Sequence, residues 1–189
     1  NLTTNLTNIN LSGANLSSAN LSGSKFFDAD ITNANFSGAD LTNASLSYRD
    51  LSGVNLTGTK VKNLSAMTVV TDQKTLLPSG WKVARNNLIG AGAHLENVSL
   101  VGTNLAGMNL TGATFTKVDF SNANLQGADL TGVSFDSADF SAADFTGTKL
   151  IKTTILNGIG VNSKFVNATL EDTNFSLTVY SPNSVFTGA

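Results

Sequence analysis

Ala128-Asp129-Leu130-Thr131-Gly132 is one copy of a five-residue unit that recurs along most of the chain, and Ala14-Asn15-Leu16-Ser17 begins another. The large apolar residue at its centre returns at Leu6, Leu11, Leu16, Leu21, Phe26, Ile31, Phe36, Leu41, Leu46, Leu51, Leu56 and Val61. The series resumes at Leu95 and runs through Leu100, Leu105, Leu110, Phe115, Phe120, Leu125, Leu130, Phe135, Phe140, Phe145, Leu150 and Ile155. It falters at Gly160 and recovers at Phe165, Leu170, Phe175 and Tyr180. A spacing of five fits neither the helical period nor the alternation of a flat strand.

A second column runs in phase with the first. Two residues before the large one sits a small or β-branched one, as at Ala14, Ala19, Ala29, Ala34, Ala39, Ala44, Ala113, Val118, Ala123, Ala128, Val133, Ala138 and Ala143. Asn or Asp usually precedes the large residue, Ser or Thr usually follows it, and Gly or Asn often ends the unit. Repetition at fixed period marks a solenoid. One large and one small inward residue per unit suits one side of a narrow coil, with the corner at Gly or Asn, where turn conformations are tolerated. Four sides close a coil of about twenty residues that rises by roughly 4.8 Å, the spacing of neighbouring strands. Residues twenty apart should then stack, Phe115 under Phe135 and Phe120 under Phe140, with Leu110, Leu130, Leu150 and Leu170 in one column. A lone coil cannot offset its own ordering entropy, so stability must come from stacking.

These units resemble the pentapeptide-repeat family, over about 6–61 and 95–180. The resemblance implies an all-β fold, a right-handed quadrilateral parallel β-helix. The expected organisation is a single solenoid domain over 1–189. It comprises a first repeat block at 1–61, an insertion at 62–94, a second block at 95–180 and a tail at 181–189. A disordered low-complexity chain would not keep two apolar columns in phase.

Composition narrows the function classes. Charged residues are 13 % of 189 and the net charge is −2, which names no strongly charged partner. No basic run points to nucleic acid, and no apolar stretch is long enough for a helical membrane span. With no Cys there is no disulfide, thiol chemistry or cysteine metal site. That is compatible with the cytoplasm or with export, and a periplasmic or extracellular location is the expectation. The start at Asn1, without Met or a signal-peptide pattern, suggests a processed product or an excised domain. Catalysis is not expected: Ser and Thr occupy repeat slots, and His94 is the only imidazole. No cofactor, metal or small-molecule substrate is evident either.

Leu95 follows Val61 by 34 residues, which breaks the frame of five. The intervening segment holds the only Trp, Trp81, and the basic residues Lys62, Lys74, Lys82 and Arg85 against Asp72 alone. Thr68-Val69-Val70-Thr71 and Trp81-Lys82-Val83 flank Leu77-Pro78-Ser79-Gly80, which predicts a strand–turn–strand flap. Many bacterial pentapeptide-repeat proteins are similar in carrying an L-P-S-G-aromatic insertion. Trp81 either pins the flap to the wall or grips a partner, with Lys82 and Arg85 beside it.

Two further surfaces are candidates for recognition. Asp119, Asp129, Asp136, Asp139 and Asp144 occur with no Lys or Arg from Val118 to Thr148. Asp119 and Asp139 fall one above the other, with Asp136 and Asp144 near adjacent corners. The family resemblance implies one rival function here, imitation of duplex DNA towards DNA gyrase or another topoisomerase, with fluoroquinolone resistance as its consequence. The mostly neutral Asn, Ser and Thr surface departs from that. At the N-terminal end Leu6, Leu11, Leu16 and Leu21 face an uncapped coil, while Tyr180-Ser181-Pro182-Asn183 offers a partial cap at the other. The expected function is a non-enzymatic structural or protein-interaction scaffold, its partner a protein, with another copy of itself joining end to end as one candidate.

Overall fold

The computed structural model describes residues 5–175 and 183–189, so the expectations for Tyr180 and Pro182 lie outside the described residues. The chain divides into two compact units, Asn1–His94 and Leu95–Ala189. No helix occurs among the described residues.

In the first unit, residues twenty apart pair in parallel: Asn5 with Lys25, Lys25 with Ser45, Ser45 with Ser65, Asn15 with Asn35, and Asn35 with Asn55. The Asn15–Asn35 pairing uses two backbone bonds. Leu16 N–H donates to Asn35 O at 2.8 Å, and Asn35 N–H donates to Ala14 O at 2.9 Å. Between sides the chain folds a β-turn in which the large residue's carbonyl accepts the N–H three residues on, as from Ala14 to Leu11 at 2.9 Å. The third turn position has positive φ, 69° at Gly13 and 58° at Asn33, which is why Gly and Asn recur there. One coil in, both inward columns are closed to solvent, with Ile31, Ala34, Phe36, Ala39 and Leu41 all at 0 % exposure.

The Asn/Asp slot does local work. Its side-chain oxygen accepts the N–H of the Ser or Thr two residues on, from Ser12 to Asn10 at 2.9 Å and from Thr42 to Asp40 at 3.0 Å. Each such Asx turn occupies a backbone donor that the coil leaves over.

The frame of twenty continues past Val61 to the pairing of Asp50 with Val70, and the next pairing, Asn55 with Leu76, is one residue longer. The extra residue is absorbed at Asp72, whose Oδ1 accepts the N–H groups of Gly53, Lys74 and Thr75. The Gly53 bond leads the effects that hold this carboxyl below its ordinary value. The hairpin comes later than expected. β1 (Lys82–Ala84) pairs antiparallel with β2 (Asn87–Ile89). Its two-residue turn is Arg85-Asn86, both with positive φ. Leu77-Pro78-Ser79-Gly80 is therefore not the hairpin turn, and Thr68–Thr71 is not the partner of Trp81–Val83. Nor does the hairpin swing free. Leu88 N–H donates to Ala66 O at 2.9 Å and Val69 N–H to Asn86 O at 2.7 Å, so β2 takes the place of a coil side.

The second unit repeats the stack. It carries the sheet β3 (His94–Glu96), β4 (Thr114–Thr116), β5 (Ser134–Asp136) and β6 (Thr154–Leu156), in that order. β5 pairs in parallel with β4 and β6 and puts Phe115 beside Phe135. The rings follow: Phe115 and Phe135 stack at 5.3 Å, and Phe120 and Phe140 at 6.2 Å. Where Gly160 replaces the large residue, a cavity of about 290 Å³ opens beside Phe140, Ile155, Phe165 and Leu170.

Hydroxyls in the small column must find acceptors. Thr148 donates to Phe145 O at 2.8 Å and Thr153 to Leu130 O at 2.7 Å. Ser24, equally buried, has no partner for its hydroxyl among the described residues. Ser24→Ala should therefore raise stability by about 1 kcal/mol, and Thr153→Val should lower it by about 1 kcal/mol. Urea midpoints check both, and a destabilised Ser24→Ala would show that this hydroxyl is bonded in solution.

Candidate interaction surface

Three regions carry the residues singled out from the sequence, and the structure gives each a different environment. In the hairpin of the first unit Trp81 is 8 % exposed and its ring lies against Gly90. A Cβ at Gly90 would stand 2.4 Å from Trp81 Cδ1, so only glycine fits. Arg85 is exposed in the turn and Lys82 half-buried in β1. The indole is thus packed inside the hairpin while the basic residues lie further out. Gly90→Ala should cost about 1–3 kcal/mol by overpacking and red-shift the Trp81 fluorescence. An unchanged emission maximum would place the ring elsewhere.

In the second unit Asp119 and Asp139 pair directly in one column. Asp144 stands in another, between Asn124 and Lys164, and Asp129 pairs with Lys149. The carboxylates serve the turns. Asp119, Asp129, Asp139 and Asp144 accept the N–H groups of Ser121, Thr131, Ser141 and Thr146 at 2.8–3.0 Å. Asp136 accepts from Ser137 Oγ at 3.0 Å and Asn157 Nδ2 at 3.3 Å. Lysines interrupt the acidic columns, with Lys149 Nζ 3.6 Å from Asp129 Oδ2.

Hydrogen bonding from Thr131, side chain first, holds Asp129 below the ordinary carboxylate value. For Asp144 burial pushes upward, but bonds from Thr146 and Gln126 outweigh it and the carboxyl again sits low. A carboxyl depressed in the fold stabilises it above its ordinary value and loses that contribution as pH falls through the depressed one. The melting midpoint should hold from neutrality to about pH 5 and decline below the ordinary value of 3.8. Asp129→Asn with Asp144→Asn keeps both turn acceptors and should flatten that decline. Identical pH profiles for the variant and the native chain would contradict the assignment.

The edge of the first described coil pairs differently from the coils above it. One coil in, Asp30, Asn35 and Asp40 N–H groups donate to Ile9, Ala14 and Ala19 carbonyls. The corresponding N–H groups of Asn10, Asn15 and Asn20 have no partner among the described residues. Leu6, Leu11 and Leu16 are half-buried, and Leu21 is 7 % exposed.

The chain matches the family described as Pentapeptide repeats in eight copies, over residues 4–33, 26–58, 91–127 and 115–150. It belongs to the pentapeptide-repeat family. Its fold is accordingly the right-handed quadrilateral β-helix. Among solved structures it is similar to HetL, a pentapeptide repeat protein involved in heterocyst differentiation regulation in the cyanobacterium Nostoc sp. strain PCC 7120. That match has 19 % identity, 91 % of this chain, 85 % of that one and a TM-score of 0.45. It is similar to Rfr23 of the cyanobacterium Cyanothece 51142, at 18 % identity, 80 % and 90 % coverage and a TM-score of 0.36. It is also similar to QnrB1, a plasmid-mediated fluoroquinolone resistance protein, at 20 % identity, 92 % and 86 % coverage and a TM-score of 0.32. No curated protein matches the chain.

Arg49 is a departure from the pentapeptide repeat that sequence reading missed. Arg49 occupies a small-residue slot, two before Leu51, and its side chain is only 12 % exposed. Its guanidinium reaches Asp28 Oδ1 at 3.4 Å, Ala29 O at 3.3 Å and Ser47 O at 3.4 Å. Comparing every twentieth residue, Ala29 with Arg49 with Val69, would have exposed it.

Proposed function

We propose that this pentapeptide-repeat chain is a non-enzymatic scaffold that works by shape and backbone pairing, with the open edge of its first coil as the face where copies join. The supporting observation is the row of unpartnered N–H groups at Asn10, Asn15 and Asn20 above half-buried leucines. An exposed strand edge is a template for another strand, and the leucines Leu6, Leu11 and Leu16 add apolar area that docking would cover. The edge donors belong to the Asn slots. Ser12 and Ser17 N–H groups are already taken by Asn10 and Asn15 side chains.

DNA mimicry towards DNA gyrase is the weaker reading. It needs a continuous acidic strip, and Lys149 and Lys164 follow Asp129 and Asp144 in their own columns.

Sedimentation velocity over a concentration series tests the scaffold. The native chain should form elongated oligomers as concentration rises. Asn15→Pro with Asn20→Pro removes two edge donors and should give a folded monomer, while Asn15→Ala with Asn20→Ala, which loses the same turn acceptors to Ser17 and Ser22 but keeps the donors, should still form oligomers. A native chain that stays monomeric at the highest concentration reached would overturn end-to-end docking.

A further inference from the structure

One side of the first unit abandons the repeat over three successive coils. Its Asn/Asp column reads Asn5, Lys25, Ser45, Ser65. Thr7 N–H is capped by Asn5 Oδ1 at 3.1 Å, but Lys25 has no side-chain acceptor to offer Phe27. The slot after the buried residue, Ser or Thr in most repeats, holds Thr7, Phe27, Ser47 and Met67. The corner, Gly or Asn on most other sides, holds Asn8, Asp28, Tyr48 and Thr68, and Tyr48 adopts φ 62° there. A bulky residue in the left-handed region is strained, so repeat stability does not explain its presence.

The departures converge in space. Phe27 and Tyr48, on consecutive coils, are 63 % and 65 % exposed. Small Ser47 between larger Phe27 and Met67 leaves a notch of about 320 Å³ that all of these residues line. Ser47 and Ser65 hydroxyls are committed to each other at 2.8 Å, and Met67 N–H donates to Ser47 Oγ. Lys25 and Ser45, which also line the notch, keep an ammonium and a hydroxyl without a partner among the described residues. No carboxylate is among the described residues lining it.

We propose that this notch is a binding site for a small aromatic carboxylate. The ring packs against Phe27 and Tyr48, where aromatic pairs gain beyond simple burial. The carboxylate takes charge-assisted hydrogen bonds from the Lys25 ammonium and the Ser45 hydroxyl. The volume lies at the small end of ligand sites, enough for one ring with a short acid arm. This reading is independent of end-to-end docking, because the side column and the N-terminal edge use different residues.

The probe is 3-phenylpropionate, titrated into the full chain and followed by NMR chemical shifts, with 2-phenylethylamine as the same ring carrying the opposite charge. Saturable shifts should be confined to 25–27, 45–48 and 65–67, with the amine binding roughly tenfold more weakly. Phe27→Ser and Tyr48→Asn each restore a residue that the repeat uses elsewhere. Both should weaken binding by roughly tenfold with a melting temperature equal to or above that of the native chain. Lys25→Asn should erase the preference for acid over amine. Equal binding of acid and amine, no saturable shift up to the solubility limit, or undiminished binding in the folded Phe27→Ser and Tyr48→Asn variants would overturn the site.

Discussion

The paired backbone bonds between residues twenty apart are the constraint on which everything else rests. Leu16 gives its N–H to Asn35, and Asn35 returns one to Ala14, and this exchange recurs on side after side. It fixes the separation of coils at the strand spacing of roughly 4.8 Å and sets each side chain directly over its counterpart. A parallel register of this kind rewards like-on-like stacking. Phe115 meets Phe135 and Asn15 meets Asn35, so a residue chosen in one coil sets what the next can hold.

The Asx turn is the second requirement. A coil that bends every five residues leaves the N–H after each large residue's own without a strand partner. Asn and Asp both supply the acceptor, which is why they interchange at Asn109 and Asp129 without altering the backbone. The acidic residues of the second unit thus answer to turn chemistry before any charge-based role. The carboxylates of Asp119, Asp129, Asp139 and Asp144 each point one oxygen inward at an amide, and lysines follow Asp129 and Asp144 up the column.

Most of the fold was legible because the five-residue period is carried by burial, and burial leaves composition behind. The large and small columns, the coil of twenty, the Phe stacks and the weak point at Gly160 all follow from it. What escaped did so for local reasons. The hairpin turn is Arg85-Asn86, and Arg carries no signature of a left-handed conformation, whereas Leu77-Pro78-Ser79-Gly80 looks like a turn. The Asn/Asp slot reads as solvent-facing, since a side chain bonded two residues along its own backbone has the same composition as one bonded to water. Arg49 hides because its neighbours in sequence are polar; only its vertical neighbours Ala29 and Val69 mark the slot as small.

A stacked repeat makes deviation informative in a way an ordinary globular core does not. Every slot has several copies of its own environment, so the residue that best serves stability can be read from the other copies. Thr116 and Ser121 show what the slot of Phe27 takes, and Asn33 and Asn43 show what the corner of Tyr48 takes. A departure that would stabilise if reversed has been retained for something other than folding, unless neighbouring departures compensate it. Gly90 is compensated, because the Trp81 ring fills the space its side chain would need. Phe27 and Tyr48 have no such compensation: their rings remain largely in solvent. The same comparison separates the two kinds of surface. The N–H groups of Asn10, Asn15 and Asn20, without a partner among the described residues, are a matter of backbone geometry alone, whereas the side notch exists only through the particular side chains placed there.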